Sequence, residues 1–212
     1  MAPDLVIFDL DGTLIDSRLE ITYAVNHVRE KYGLSKESID KIEPLIGLSP
    51  ERFFDSVTIP VPLDEAVREF RLYLRNHLGS YSRPAEGSHQ LVSFLSTRQI
   101  KCAIATTKPT DLATKAAIAC DIRVDFIQGT DGFEPKPDPE VVLRCLAKFS
   151  QDGSKALMVG DRSADIVAGR RAGCMTAGIR SDTTSNLNFE STRPDFVFDS
   201  LSDLHFWMQE LI

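Results

Sequence analysis

Two aspartates two positions apart, Asp9 and Asp11, stand directly after the apolar run Leu5-Val6-Ile7-Phe8 and directly before Gly12. Residues two apart on an extended strand face the same way, so both carboxylates aim at one point. Gly12 lets the backbone turn close to a ligand. A second acidic pair follows another apolar run. Ala156-Leu157-Met158-Val159 leads into Gly160-Asp161, and Asp165 lies one helical turn further on. Between these pairs stand Thr106, closing the run Cys102-Ala103-Ile104-Ala105, and Lys136, within Lys136-Pro137-Asp138-Pro139. Gathered carboxylates repel one another, so something cationic must hold them together. Mg²⁺ suits that role, being a hard ion that takes carboxylate, carbonyl and water oxygens and often a substrate phosphate. Thr106 and Lys136 then offer a donor and a point charge to a second anion. A phosphoryl group is the natural guest, because its transfer is catalysed mostly by positioning and charge neutralisation. One of the carboxylates can itself attack phosphorus and form an aspartyl phosphate.

For these residues to meet, their strands must share an edge. Short continuous apolar runs ending in polar Gly-containing loops suit strands buried on both faces of a parallel sheet. Beyond Arg83-Pro84 such runs alternate with helical stretches. Helices are expected at Ser88 to Arg98, 110–119, Pro139 to Phe149, from a cap at Ser163 to Gly173, and 201–212. Strands are expected at Cys102–Ala105, Phe126–Ile127, Ala156–Val159, Met175 to Ile179 and Phe196 to Phe198, with a polar loop over 181–194. Repeated strand–helix units give an α/β, Rossmann-like parallel sheet with helices on both faces, and ligands bind outside the carboxyl ends of its strands. The stretch from Ser17 to Arg83 is different. Leu19, Tyr23, Val25 and Val28 form one helical stripe, closed by Gly33, and Ser49 caps a helix whose first turn holds Pro50. Val67, Phe70, Leu74 and Leu78 mark another helical face, and no strand is expected in this stretch. The organisation is therefore an α/β core over 1–16 and 84–212, with an all-helical insertion over 17–83.

Composition narrows the function classes. The chain has 212 residues, with 24 Lys+Arg against 31 Asp+Glu, a net charge of −7. That balance, with no basic cluster, argues against nucleic acid as a partner. No apolar run approaches the ~18 residues of a membrane span. Asp4, Asp9 and Asp11 occupy the region where a signal peptide would be basic and then apolar, so a cytoplasmic protein is expected. Cys102, Cys120, Cys145 and Cys174 form no close pair and read as reduced core thiols. His27, His77, His89 and His205 are scattered without metal-ligand spacing.

Asp9-Leu10-Asp11-Gly12-Thr13, Thr106, Lys136 in Lys-Pro-Asp-Pro, and Gly160-Asp161 with Asp165 resemble, in order and spacing, the haloacid-dehalogenase-like phosphatase superfamily. The resemblance covers essentially the whole chain and makes the helical insertion that family's small cap domain of the C1 type. Thr106-Thr107-Lys108-Pro109 and Val159 to Gly173 look most like phosphoglycolate-phosphatase-type enzymes. By resemblance, Asp9 is the nucleophile and Asp11 the general acid and base. The Asp9 carboxylate, the Asp11 carbonyl and Asp161 are implied Mg²⁺ ligands, with Asp165 at the metal directly or through water. Thr106 and Lys136 bind phosphoryl oxygens, with Thr107 nearby. Arg18, Ser49 and Arg52 are the candidate cap contacts to substrate. The expected partner is a small phosphate ester such as 2-phosphoglycolate, handled by a monomer or homodimer.

Asp11 separates a phosphatase from the dehalogenases of this fold, whose halide leaving group needs no proton. Two alternatives remain. A phosphosugar mutase carries an Arg straight after a Gly-x-Ser of the cap, whereas here Gly47-Leu48-Ser49 is followed by Pro50, with Arg52 two further on. A non-catalytic phospho-accepting switch uses similar residues but is shorter and lacks the insertion.

Overall fold

The computed structural model of the protein describes residues 2–56, 59–180 and 187–211. Strand β1 (Leu5–Phe8) leads through a two-residue strand β2 (Ile15–Asp16) into four helices, α1 (Arg18–Lys31), α2 (Ile39–Ile42), α3 (Pro50–Ser56) and α4 (Leu63–His77). The chain returns through β3 (Arg83–Pro84). Strands and helices then alternate: α5 (Ser88–Thr97), β4 (Lys101–Ala105), α6 (Thr110–Ala119), β5 (Phe126–Gln128), α7 (Glu140–Lys148), β6 (Ala156–Gly160), α8 (Ser163–Arg171), β7 (Met175–Ile179), α9 (Leu187–Glu190), β8 (Phe196–Phe198) and α10 (Leu201–Leu211).

Six strands form one parallel sheet in the order β5-β4-β1-β6-β7-β8. All four residues of β1 are buried, which its place between β4 and β6 demands. Their alternation splits the core in two. Val6 and Phe8 pack with Leu91, Leu95, Ile104 and Met208 on one face. Leu5 and Ile7 pack with Ala103, Val141, Cys145 and Met158 on the other. Full burial of a side chain such as Phe8 contributes roughly 1.5–3 kcal/mol. The register sets Phe8 opposite Ile104 and Val159, so the chain leaves β1, β4 and β6 at nearly one level. Asp9, Thr106 and Asp161 follow at that edge.

The helices between β2 and β3 have their own core of Ile21, Val25, Ile42, Phe53, Phe54, Phe70 and Leu74. Several sequence expectations change here. Leu19 and Tyr23 are 49% and 44% exposed, while Ile21, Ala24, Val25 and Val28 form the buried stripe of α1. Both stripes have helical spacing, and packing against α4 chooses between them. Leu78 lies past the end of α4 and packs against the main core. Arg83, expected inside a strand-free stretch, pairs antiparallel with Asp16, as Pro84 does with Ile15. Two-residue strands are too short to show a period, yet this pair fixes where the chain leaves and re-enters the sheet layer. Helix α8 begins at Ser163, so Arg162 rather than Ser163 is its N-cap. Within the expected loop over 181–194, Leu187–Glu190 is a helical turn, and 181–186 lie outside the described residues. The four cysteines are free and buried, and burial pushes the Cys102, Cys145 and Cys174 thiols up to about 12. No described helix is long and apolar enough to cross a membrane.

Candidate active site

Asp9 is the first residue past β1, with its amide held by the Val159 carbonyl at 2.8 Å. Lys136, on the loop between β5 and α7, is only 5% exposed. Its ammonium donates to Asp9 Oδ1 at 2.6 Å and to the Ala105 carbonyl at 2.8 Å, and it pairs with Asp165 Oδ1 at 2.6 Å. Three acceptors therefore take up all three of its protons. Burial pulls the Lys136 pKa down, but the Asp165 and Asp9 carboxylates outweigh it and hold it above the usual lysine value. The other oxygen of Asp165, Oδ2, accepts from the Arg162 amide at 3.0 Å. That residue thus caps the start of α8, where an acid is favoured, and orients Lys136.

Asp161 follows β6 and receives the Thr13 hydroxyl at 2.9 Å. Oxygen atoms of Asp9, Asp161 and Asp165 all lie within 4.8 Å of one another, and all three residues are buried. Burial pushes Asp9 up to about 6, opposed by Lys136 and reinforced by Asp165. Burial, with repulsion from Asp165 and Asp9, pushes Asp161 up to about 7. One ammonium sits among three buried carboxylates, and the hydrogen bond that Asp161 receives comes from a neutral hydroxyl. This donor set of hard oxygens with surplus negative charge fits a divalent cation such as Mg²⁺. Gly12 is part of the fit. It has φ +93°, and a Cβ there would come 2.7 Å from Asp161 Oδ2.

Thr106 is buried, and its hydroxyl accepts from the Lys108 amide at 3.2 Å. Asp11 is met by a residue that sequence reasoning leaves without a role: the Lys108 ammonium lies 2.8 Å from Asp11 Oδ1. Beyond Asp11 and Lys108 opens a cavity between the strand ends and the helical insertion. Thr107, Ile46, Gly47, Leu48 and Phe53 are among its lining. Two loops of the sheet edge grip the insertion here. Thr107 Oγ1 donates to the Gly47 carbonyl at 3.1 Å. The Arg162 guanidinium donates to the carbonyls of Pro44 at 3.0 Å and Glu43 at 3.2 Å.

The structure thus brings Asp9, Asp11, Thr106, Lys136, Asp161 and Asp165 to one edge of the sheet, with Thr107 on the cavity wall. The other three expected residues, Arg18, Ser49 and Arg52, are not part of that cavity's lining. Arg18 is bound by Asp16 at 2.8 Å and Glu43 at 3.2 Å and lines a neighbouring groove that also holds Gly12, Asp161 and Arg162 and shares Ile46 with the cavity. Arg52 is exposed on α3 and is not part of the cavity lining. An acid two residues before Arg18 captures its guanidinium, which proximity to Asp11 in sequence does not reveal. Ser49 serves its own helix: its hydroxyl accepts from the Arg52 amide at 3.4 Å.

Similar proteins carry the same arrangement of chain. A phosphoglycolate phosphatase from Aquifex aeolicus is 32% identical over 203 residues, covering 94% of each chain. The pyrophosphatase PpaX of Bacillus velezensis is 28% identical over 202 residues, covering 94% of this chain and 93% of its own. Among solved structures, a protein described as a predicted phosphoglycolate phosphatase from Haemophilus somnus 129PT superposes with a TM-score of 0.87 at 25% identity, covering 97% and 98% of the two chains. CbbY from Rhodobacter sphaeroides, solved with phosphate, shares the fold with a TM-score of 0.82 at 19% identity over 95% and 96%. The family model of the haloacid dehalogenase-like hydrolases matches residues 6–179, from within β1 to the end of β7, and the chain belongs to that family of enzymes.

Proposed function

We propose that this protein is a Mg²⁺-dependent phosphomonoester hydrolase acting on a small phosphorylated metabolite through a phosphoaspartate on Asp9. The observation that carries the reading is the buried cluster of Asp9, Asp161 and Asp165 around Lys136, with Asp11 beside it at the same sheet edge. In this reading 1–16 and 84–212 form the catalytic core, and 17–83 form the cap that closes over the cleft and excludes water. The relatives named phosphoglycolate phosphatase and pyrophosphatase support a small phosphate substrate. 2-Phosphoglycolate is the first ester to test.

Asp9 attacks phosphorus, the ester P–O bond breaks, and Asp11 gives its proton to the departing alkoxide. Asp11 then takes a proton from water, which attacks the phosphoaspartate, releases inorganic phosphate and restores the Asp9 carboxylate. Such a positioned acid and base contributes typically 10²–10⁴-fold. Lys136 and Thr106 hold phosphoryl oxygens while Asp165 keeps Lys136 in place. The Asp9 carboxylate, the Asp11 carbonyl and Asp161 would hold Mg²⁺, with Asp165 behind them, and the ion would neutralise charge between carboxylate and phosphoryl group. The chemistry suits a cytoplasmic protein, as monomer or homodimer.

The test is incubation with p-nitrophenyl phosphate and Mg²⁺. Release of many equivalents of phosphate per chain is the expected result. A single equivalent of stable label, with no turnover, would instead identify a phospho-accepting switch.

A further inference from the structure

We propose that Lys108 sets substrate choice: its ammonium recognises a second negative charge on the leaving group, one or two bonds beyond the oxygen that is cleaved. This rests on the phosphatase reading above.

Lys108 is 8% exposed and stands 2.8 Å from Asp11 Oδ1. In the proposed reaction Asp11 touches the leaving oxygen, so Lys108 adjoins the place where the leaving group begins. The cavity beyond offers it no rival. Its insertion-side wall is built by Ile21, Leu45, Ile46, Leu48, Phe53 and Phe70. On the sheet side the polar side chains are Asp11, Thr107 and Lys108, and the Thr107 hydroxyl is turned to the Gly47 carbonyl. Lys108 is therefore the one cationic side chain lining this cavity among the described residues. Arg18, Arg83, Arg162 and Arg180 line the neighbouring groove on the Asp161 side, which meets this cavity at Ile46, and none of them lines the cavity next to Asp11.

The wall decides what fits. An anion close to the scissile oxygen meets Lys108 and gains a charge-assisted hydrogen bond in a buried place. An anion or hydroxyl carried further out meets hydrocarbon and loses its water without replacement. The favoured class is thus short: a phosphate ester with a carboxylate on the adjacent carbon, or an anhydride with a second phosphoryl group on the bridging oxygen. Hexose phosphates and nucleoside monophosphates, with their polar groups held further from the scissile oxygen, are disfavoured. If Lys108 merely neutralised Asp11, its loss would affect every ester alike.

The experiment compares kcat/KM for 2-phosphoglycolate, inorganic pyrophosphate and the uncharged-tail analogue ethyl phosphate in wild type, Lys108→Met and Lys108→Arg, all with Mg²⁺. Wild type should prefer the two charged substrates over ethyl phosphate by at least about tenfold. Lys108→Met should lose roughly 10–100-fold on them, chiefly through KM, the size of one hydrogen bond to a charged group. Its loss on ethyl phosphate should be much smaller, and Lys108→Arg should retain the preference. Equal losses on all three substrates, or a wild type indifferent to tail charge, would overturn the proposal. A wild type that turns over no ester sinks the phosphatase reading instead. Calorimetry on that protein and on Lys108→Met then decides the matter: 2-phosphoglycolate bound tenfold tighter than ethyl phosphate by wild type and equally by Lys108→Met supports recognition by Lys108, and a preference that is absent in wild type or survives in Lys108→Met overturns it.

Discussion

Asp9 and Asp11 carry the same carboxyl group two residues apart, and their neighbours fit them to different work. Asp9 lies against the Lys136 ammonium at 2.6 Å in a place shared with Asp161 and Asp165. Asp11 lies against Lys108 and faces the cavity. Asp9→Asn keeps shape and one acceptor but removes the attacking oxygen. Turnover of p-nitrophenyl phosphate should fall by roughly 10⁴-fold or more, with the circular dichroism spectrum unchanged. Wild-type-like rates would remove Asp9 from the nucleophile role. Asp11→Asn should fall by roughly 10²–10⁴-fold while still accumulating labelled protein from a substrate with a good leaving group, because attack by Asp9 survives. Asp9, Asp11, Thr106 and Asp161 are legible in the sequence because each stands at or near the end of an apolar run, where the topology of a parallel sheet dictates its neighbours, whereas Lys136, on a loop, and Asp165, in a helix, are picked out by their resemblance to the family's motifs. The contacts of Lys108 and Thr13 are not legible there. Both sit on irregular turns, where no period tells which way a side chain points.

Between the elements, the grip on segment 43–47 joins the insertion to the sheet edge from two sides. Thr107 holds it from the loop after β4, and Arg162 from the loop after β6. All three acceptors are backbone carbonyls, so the grip depends on the path of the segment more than on its side chains. Gly47 is the exception. It has φ +89°, and a Cβ there would come 2.7 Å from Arg162 Nε. Arg162→Ala removes two of the three bonds, so amide hydrogen exchange of 43–47 should speed up by about tenfold, while exchange in β1 and β6 stays as it was. Unaltered exchange of 43–47 would show that Thr107 and packing suffice. Gly47→Ala should have the same effect by pushing the guanidinium away, with a strain of roughly 1 kcal/mol from the left-handed backbone added. None of this is visible in the sequence: Arg162 reads as a surface residue, and its partners are carbonyls that any sequence supplies. The sheet itself is readable because strands buried on both faces leave unbroken apolar runs. The stripe of α1 is misread from spacing because that helix carries two apolar faces, and only the position of α4 says which is inside.

At the scale of the whole molecule, the fold stores negative charge at its centre in a chain that already carries −7. Asp9 is held at about 6 and Asp161 at about 7, against an ordinary value of 3.8. A carboxyl whose folded-state pKa is raised favours folding while it is protonated. Its contribution is complete below about pH 4 and disappears as pH climbs through 6 and then 7. On account of these two groups, the metal-free protein should melt at a lower temperature at pH 8 than at pH 5.5. Mg²⁺ binds the ionised carboxylates and competes with those protons. The rise in melting temperature on adding Mg²⁺ should therefore be larger at pH 8 than at pH 5.5, and Asp161→Asn should shrink that difference. EDTA should silence turnover and Mg²⁺ restore it. Ca²⁺ should raise the melting temperature yet restore little activity, because its looser, higher-coordinate shell does not fix the nucleophile in one place. Thermal melts at the two pH values, with and without each ion, check the whole set. An equal Mg²⁺ effect at both would mean that the ion is not held by the carboxylates whose repulsion the fold confines.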